Sequence, residues 1–228
     1  MKKIQLYLVS VPMGNYDDIT LRAINILKNA NFIICEEYKE AKKLLHHLQI
    51  EGKELVSLNE HNEYKTAEDV IEKVLTSENV ALISDCGTPV FNDPGFILVE
   101  AALKQDIELI PVPGANSLLP ALIASGFKPD RFFYYGWFSP KTEIRQSEMK
   151  RLKNMNELIV IYETPYRLKA ILTDIKSTFG GSAKIVVAYE LTTENEHFFR
   201  GAVSDILNKV EKDGIKGNFV LLLDNRKR

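Results

Sequence analysis

Short apolar runs and helix-period stretches take turns along the first half of this chain, and that alternation restricts the fold more than any other feature. Strands are predicted at 4–11, 31–36, 54–58, 79–84 and 107–112, with helices near 19–29, 39–49, 64–77 and 95–105 between them. A strand, a helix and a second strand in succession return to one sheet in parallel, with the helix laid over a face. In the first helix Ile19, Ala23, Ile26 and Leu27 make an apolar stripe, and Asp17 or Asp18 is placed to cap its start. The expectation is a mostly parallel sheet covered by helices.

Pro111-Val112-Pro113-Gly114 punctuates the middle, and a helix capped by Asn116 or Ser117 is predicted at 116–125. Beyond Gly126 the pattern changes, with strands expected at 131–137, 157–162, 184–189, 196–201 and 218–223. The pair near 184–201 has no long helix between its members, so it is expected to be antiparallel. With 228 residues, 45% of them hydrophobic, the chain can bury a sizeable core. Two α/β domains are expected, 1–113 and 114–228.

The formal net charge of -2 gives no global basic field of the kind that announces nucleic acid, although a local patch would suffice for RNA. Cys35 and Cys86 do not make a disulfide framework, which points to the reducing cytoplasm. The apolar start at Ile4–Val11 is broken by Gln5, Tyr7 and Ser10 and followed by Pro12-Met13-Gly14-Asn15, so it reads as a first strand and turn rather than a signal peptide. No apolar run approaches the roughly 20 residues of a membrane span. Arg145, Lys150, Arg151 and Lys153 read as a solvated helix face, the functional alternative being a phosphate-contacting patch joined by Lys141. Arg226-Lys227-Arg228 reads as a disordered basic tail.

Standard nucleotide and hydrolase signatures are missing: no G-x-G-x-x-G, no phosphate loop, no G-x-S-x-G elbow. His46, His47, His61 and His197 have no zinc-ligand spacing, so no metal centre is expected, and His46-His47 reads as an exposed helical pair. Four polar loop clusters remain. They are Pro12–Thr20, Glu60-His61-Asn62-Glu63, Ser84–Gly95 and Pro113-Gly114-Ala115-Asn116-Ser117. Each alone reads as turn chemistry. All four fall at strand ends, where α/β sheets bind ligands, and the last opens a helix whose free N–H groups can hold a small ligand.

As an ordered set these clusters resemble the bacterial ribosomal RNA ribose 2′-O-methyltransferases that target cytidine in the small subunit, members of the tetrapyrrole-methylase superfamily. The resemblance runs over almost the whole chain. It is carried by Pro12-Met13-Gly14-Asn15, Asp18-Ile19-Thr20-x-Arg22-Ala23 and His61-Asn62-Glu63. It continues in Ala81–Pro89, Asn92-Asp93-Pro94-Gly95, Pro111-x-Pro113-Gly114, Pro129–Phe132 with Gly136, Tyr162-Glu163 with Arg167-Leu168, and Glu190-Leu191-Thr192.

The resemblance implies S-adenosylmethionine as cofactor, held in a cleft between two α/β domains, and a homodimer. By position it sets Pro12 against the cofactor and places Cys86, Gly87 and Thr88 along the methionine and ribose portion, with Phe91 nearby. Asn116 and Ser117 would touch the cofactor at the helix start. Tyr162 and Glu163 would close the adenosine side, with Ala188 nearby. Three departures stand out. The usual Glu-Asp-Thr-Arg after the second strand is Glu36-Glu37-Tyr38-Lys39, the usual Pro after Pro-Gly is Ala115, and the carboxy-terminal helical extension of many members is absent.

The implied reaction is methyl transfer to an RNA ribose hydroxyl. The acceptor is weakly acidic and benefits from a general base, for which Glu36, Glu37, His61, Glu63 and Asp93 are candidates, each with an alternative role as a cap, turn former or ion-pair member. Asn15, Lys39, Arg131 and Arg167 are candidate substrate contacts. The partner implied is ribosomal RNA or the small ribosomal subunit, with no membrane and no metal. Two other readings are open: a tetrapyrrole methyltransferase acting on a corrin or sirohaem precursor, and a noncatalytic RNA-binding homologue.

Overall fold

The apolar runs of the first half assemble into one sheet. In the computed structural model, which describes residues 4–227, its strands are β1 (Gln5–Val9), β2 (Phe32–Cys35), β3 (Glu54–Ser57), β4 (Asn79–Leu82) and β5 (Glu108–Val112). They lie in the order β3-β2-β4-β1-β5, all parallel. Alternate residues face opposite sides. Ile33 and Cys35 meet Ala23 and Leu27 of α1 (Leu21–Asn29) and Ala41, Leu44 and Leu45 of α2 (Tyr38–His47). Phe32 and Ile34 meet Val70, Ile71 and Val74 of α3 (Glu63–Leu75) and Leu98 and Ala102 of α4 (Phe96–Lys104).

This arrangement places the ligand-binding end. Chains leaving β1 and β2 go to one face of the sheet and the chain leaving β4, which lies between them, goes to the other. Crevices therefore open on both sides of the carboxyl end of β4, as they do wherever connections in an α/β sheet part in opposite directions.

The second half builds a mixed sheet from β6 (Phe132–Gly136), β7 (Leu158–Glu163), β8 (Lys184–Tyr189), β9 (His197–Ala202) and β10 (Phe219–Asp224), in the order β6-β7-β10-β8-β9. Only β6 and β7 pair in parallel; β8 and β9 are antiparallel as expected. Helices α6 (Thr142–Lys153), α7 (Leu168–Phe179) and α8 (Val203–Asp213) cover one face through Met149, Leu152, Ile171, Ile175, Val203 and Ile206. The short α5 (Leu118–Ala124) contacts β10. The chain divides into two compact units, Met1–Asn116 and Ser117–Arg228. No helix among the described residues is long and apolar enough to cross a membrane.

Four local expectations are corrected. The start of α1 is capped by Thr20, whose Oγ1 accepts from Ala23 N at 3.1 Å; Asp17 and Asp18 sit in a preceding 3-10 turn, itself capped by Asn15 Oδ1 accepting from Asp17 N at 3.0 Å. Ser117 does occupy the N-cap position of α5, as one of the two expected candidates, but its hydroxyl makes no cap bond. Arg145 is not on a solvated face: it shares the inward stripe of α6 with Met149 and Leu152, three to four residues apart, while Lys150, Arg151 and Lys153 are exposed. Finally, Arg226 is bound to Asp224 at 2.7 Å and to the Lys128 carbonyl at 2.8 Å, and the Lys227 N–H donates to Asn156 Oδ1 at 2.5 Å. Arg228 lies outside the described residues.

Candidate functional site

Three of the four loop clusters are tied together at the carboxyl end of the first sheet. Val11 and Gly87 exchange both backbone hydrogen bonds, at 2.8 and 3.0 Å, joining the loop after β1 to the loop after β4. The Thr88 hydroxyl lies 2.9 Å from the Ser10 hydroxyl and donates to the Ala115 carbonyl at 3.2 Å, which brings in the loop after β5. Gly114 is needed for this closeness, since a Cβ there would stand 2.9 Å from Ser10 Cβ. Pro12 is buried in this junction. A cavity of about 120 Å³ opens beside it, lined by Val11, Pro12 and Met13, by Ile83, Ser84 and Asp85, and by Ala41 and Leu44 of α2.

The loop after β4 is held in an unusual shape. Gly87, Val90, Asn92 and Gly95 have φ of +75°, +70°, +65° and +123°. A β-branched valine in that region is strained and persists only when its surroundings determine it. The fourth cluster supplies one such constraint. Glu63 Oε1 accepts from Gly95 N at 2.9 Å and Ile97 N at 2.8 Å, so this carboxylate caps α4, whose own N-cap residue, Gly95, has no side chain to do so. Asn62 closes its own turn, accepting from Asn59 N and donating to the Ser57 carbonyl, and the His61 side chain is exposed beside Glu60.

Between these loops sits a concentration of carboxylates. Glu37 N donates to Asp85 Oδ1 at 3.0 Å, linking the ends of β2 and β4. Partial burial, helped by the neighbouring charges of Asp85 and Asp93, pushes Glu36 up to about 7. Burial and Asp85 push Asp93 up to about 6, against a hydrogen bond from Ser84. Asp85 is raised as well, chiefly by burial. Although Cys86 is exposed as a residue, lost solvation and then Asp93, Asp85 and Glu36 push its thiol up to about 11, so it is protonated at neutral pH and no nucleophile. The arrangement favours a positively charged guest and can hold a proton near neutral pH.

Asn15 is exposed next to the junction, and Lys39 is exposed on the first turn of α2, beyond Tyr38, whose hydroxyl accepts from Ser57 N at the sheet edge. Phe91 is partly exposed and Asn116 half-buried.

In the second unit Ser117, Tyr162 and Ala188 are brought to one side. The Ser117 and Tyr162 hydroxyls are 2.6 Å apart, and Tyr162, Val220 and Ala188 form one row across β7, β10 and β8. That row faces away from the core under α6–α8, which takes Ile161, Leu221 and Val187. Glu163 points the other way and is buried. Its Oε2 accepts from Thr164 N at 2.9 Å, and its Oε1 stands 3.1 Å from Arg167 Nη2 in an ion pair whose angle falls short of a hydrogen bond. Burial raises its pKa despite Arg167 and Arg145. Arg167 also donates to the carbonyls of Phe138 and Ser139 at 3.2 and 2.8 Å, so it serves the fold of its own unit. Arg131 pairs with Glu157 at 3.0 Å and is otherwise exposed.

Sequence reasoning passed over Ser10, Asp85 and the Ala115 carbonyl. Asp85 lies inside the Ser84–Gly95 cluster, but its bond to Glu37 spans 48 positions and leaves no local pattern. Among the described residues no group of His, Cys, Asp and Glu could hold a metal ion.

Known proteins match this chain along most of its length. The family model of tetrapyrrole (corrin/porphyrin) methylases matches residues 5–207. The ribosomal RNA small subunit methyltransferase I of Bacillus subtilis is 39% identical over 96% of this chain and 74% of its own length. The protein of that name in Synechocystis is 38% identical over 96% of this chain and 78% of its own length. Among solved structures, a cobalt precorrin-4 methyltransferase of cobalamin biosynthesis superposes with a TM-score of 0.71 at 17% identity, covering 96% of this chain and 94% of that one, a likeness of fold.

Proposed function

Because the chain belongs to the tetrapyrrole methylase family, we propose that it transfers a methyl group from S-adenosylmethionine to the ribose 2′-hydroxyl of a cytidine in small-subunit ribosomal RNA. The observation that carries the reading is the junction in which Ser10, Thr88 and Ala115 bind three strand-end loops into one surface. These are the loops on which the resemblance to ribosomal RNA methyltransferases rests, and curated relatives of that name match nearly the whole chain.

The residues present suit the cofactor. A sulfonium is a cation, and Glu36, Asp85 and Asp93 make its surroundings negative. Pro12, Cys86, Gly87, Thr88 and Phe91 are assigned to the methionine and ribose portions. Asn116, Ser117, Tyr162, Glu163 and Ala188 keep the roles the resemblance gives them. S-adenosylmethionine supplies an activated methyl group, so the protein's task is to align donor and acceptor and remove a proton.

Among the five candidate bases, Glu36 fits that task best. Its carboxyl takes a proton near neutrality because burial and two neighbouring carboxylates disfavour its ionised form. Glu63 is committed to capping α4, His61 faces solvent, and Glu37 is exposed, leaving Asp93 as the second choice. Asn15 and Lys39 are assigned to the acceptor strand. Arg131 and Arg167 are assigned structural roles instead. Two copies working together in the cytoplasm, where ribosomes are assembled and where free Cys35 and Cys86 would stay reduced, complete the reading.

The test is methyl incorporation from labelled cofactor into small ribosomal subunits that lack the modification, with the product mapped by nucleoside mass spectrometry. A 2′-O-methylcytidine product is expected. Label in another nucleoside, or none while calorimetry records cofactor binding, would overturn the acceptor assignment.

A further inference from the structure

The second unit holds one short segment with unusual firmness, residues 137–141 between β6 and α6. Pairing of β6 with β7 is irregular between Tyr134 and Gly136, and Gly136 has φ of +80°. Bulges of this kind re-aim the side chains next to them. Here the chain turns so that Trp137 is 46% exposed while Phe138 goes into the core.

Two arginines then collect the polar atoms of the turn. Arg145, itself buried, pairs with Asp174 at 2.6 Å and donates to the carbonyls of Ser139 and Pro140 and to Thr142 Oγ1. Arg167 takes the carbonyls of Phe138 and Ser139. The Ser139 N–H goes to Glu148 and the Lys141 N–H to Ser139 Oγ. Loops are ordinarily mobile; this one spends two charged groups on immobility. What it displays is the single tryptophan of the chain. Tyr166, 85% exposed, precedes the Arg167 that grips the same turn. Lys141 is exposed at its far end, and α6 runs on to exposed Lys150, Arg151 and Lys153, against Glu143 as its exposed acid.

A rigid exposed indole, a second exposed aromatic on the bonded segment and a cationic helix match the way unpaired nucleotides are held, by stacking of bases and attraction of the backbone. We propose that Trp137 is a base-stacking contact for single-stranded RNA and that loop 137–141 is a platform built to present it. This rests on the reading of ribosomal RNA as substrate and adds where that RNA is gripped.

The test uses the full chain. Its single tryptophan is excited selectively while naked small-subunit ribosomal RNA, which contains none, is titrated in. Saturable quenching is expected. Trp137→Ala should weaken RNA binding on the order of tenfold, and Trp137→Phe, which still stacks, by no more than about threefold. Lys141→Ala should lower the salt slope of binding by about one, a slope that Trp137→Ala leaves alone. Unquenched fluorescence at saturating RNA, or equal affinity for all three proteins at position 137, would overturn the proposal. So would dissociation of a dimer by Trp137→Ala in sedimentation, since the indole would then face a second copy. Trp137→Phe guards against misfolding as an explanation. Quenching without methylation of subunits would sink the acceptor reading and keep the platform; methylation without quenching would do the reverse.

Discussion

The hydroxyl of Thr88 stands 2.9 Å from that of Ser10, 78 positions earlier in the chain, and donates a hydrogen bond to the carbonyl of Ala115. One side chain thus fixes the spacing of three loops. Thr88→Val keeps the shape and removes the bond, leaving polar groups of Ser10 and Ala115 short of a partner. It should destabilise the first unit by about 1–3 kcal/mol and weaken S-adenosylmethionine binding. Thr88→Trp should abolish binding. Calorimetry on folded variants reads both; retained affinity in Thr88→Trp would reject the site.

Glu36 sets the expected pH dependence. As a base it must be ionised, so kcat should rise with pH through about 7 and level off above it. Glu36→Gln should lose this inflection and lower kcat by a factor of roughly 10²–10⁴, with cofactor affinity changed much less. An unaltered profile in the variant would move the role to Asp93.

The same two carboxyls affect stability in a defined direction. In the folded state Glu36 and Asp93 bind protons more tightly than in the unfolded chain. Their contribution is therefore most favourable at low pH and is lost as pH rises, from about 4.5 to about 7 for Glu36 and from about 3.8 to about 6 for Asp93. Asp93→Asn should melt above the parent at pH 8, with the gap closing toward pH 4. A gap that widens on acidification would contradict the assignment.

Glu63 offers a contrast between capping and catalysis. Glu63→Gln retains an oxygen for Gly95 N and Ile97 N, so kcat should stay within a few-fold. Glu63→Ala should cost about 0.5–2 kcal/mol and raise KM for the cofactor through a loosened loop. A hundredfold fall in kcat for Glu63→Gln would make it the base.

In the second unit, Arg145→Ala strands Asp174 without a partner and frees two carbonyls of the tryptophan turn. The expected loss is about 3–5 kcal/mol. Removing both charges, as in Arg145→Met with Asp174→Leu, should restore part of it. Chemical denaturation monitored by tryptophan fluorescence reads the difference, and an equal loss in the single and double variants would contradict the pairing.

The elements of the first sheet were legible because β2 and β4 in its middle are short, continuously buried runs and the helices between the strands carry apolar faces, patterns that run along the chain itself. Pairings between distant residues were not. Arg145 looked like its neighbours Lys150 and Arg151, and only the 3.6-residue spacing to Met149 and Leu152 hinted that it points inward; its partner Asp174 lies on another helix. Glu63 was legible as part of a polar cluster, yet the helix it caps begins more than thirty positions later. Asp17 and Asp18 drew attention from Thr20 because three candidate caps stood in four residues, and the choice among them fell to backbone geometry. For the site, motif order was informative and roles were not: what Glu36 or Glu63 does depends on which strand end it meets across the sheet.

The left-handed backbone at Val90 and Asn92 has a thermodynamic consequence. A loop that is already confined before its ligand arrives has little freedom left to surrender. Association on such a surface should carry a small entropic penalty and a heat of binding that varies little when loop residues away from the contact are changed. Selectivity would then be exercised by rejection of shapes that do not fit a fixed mould, rather than by a mould that adapts to its guest.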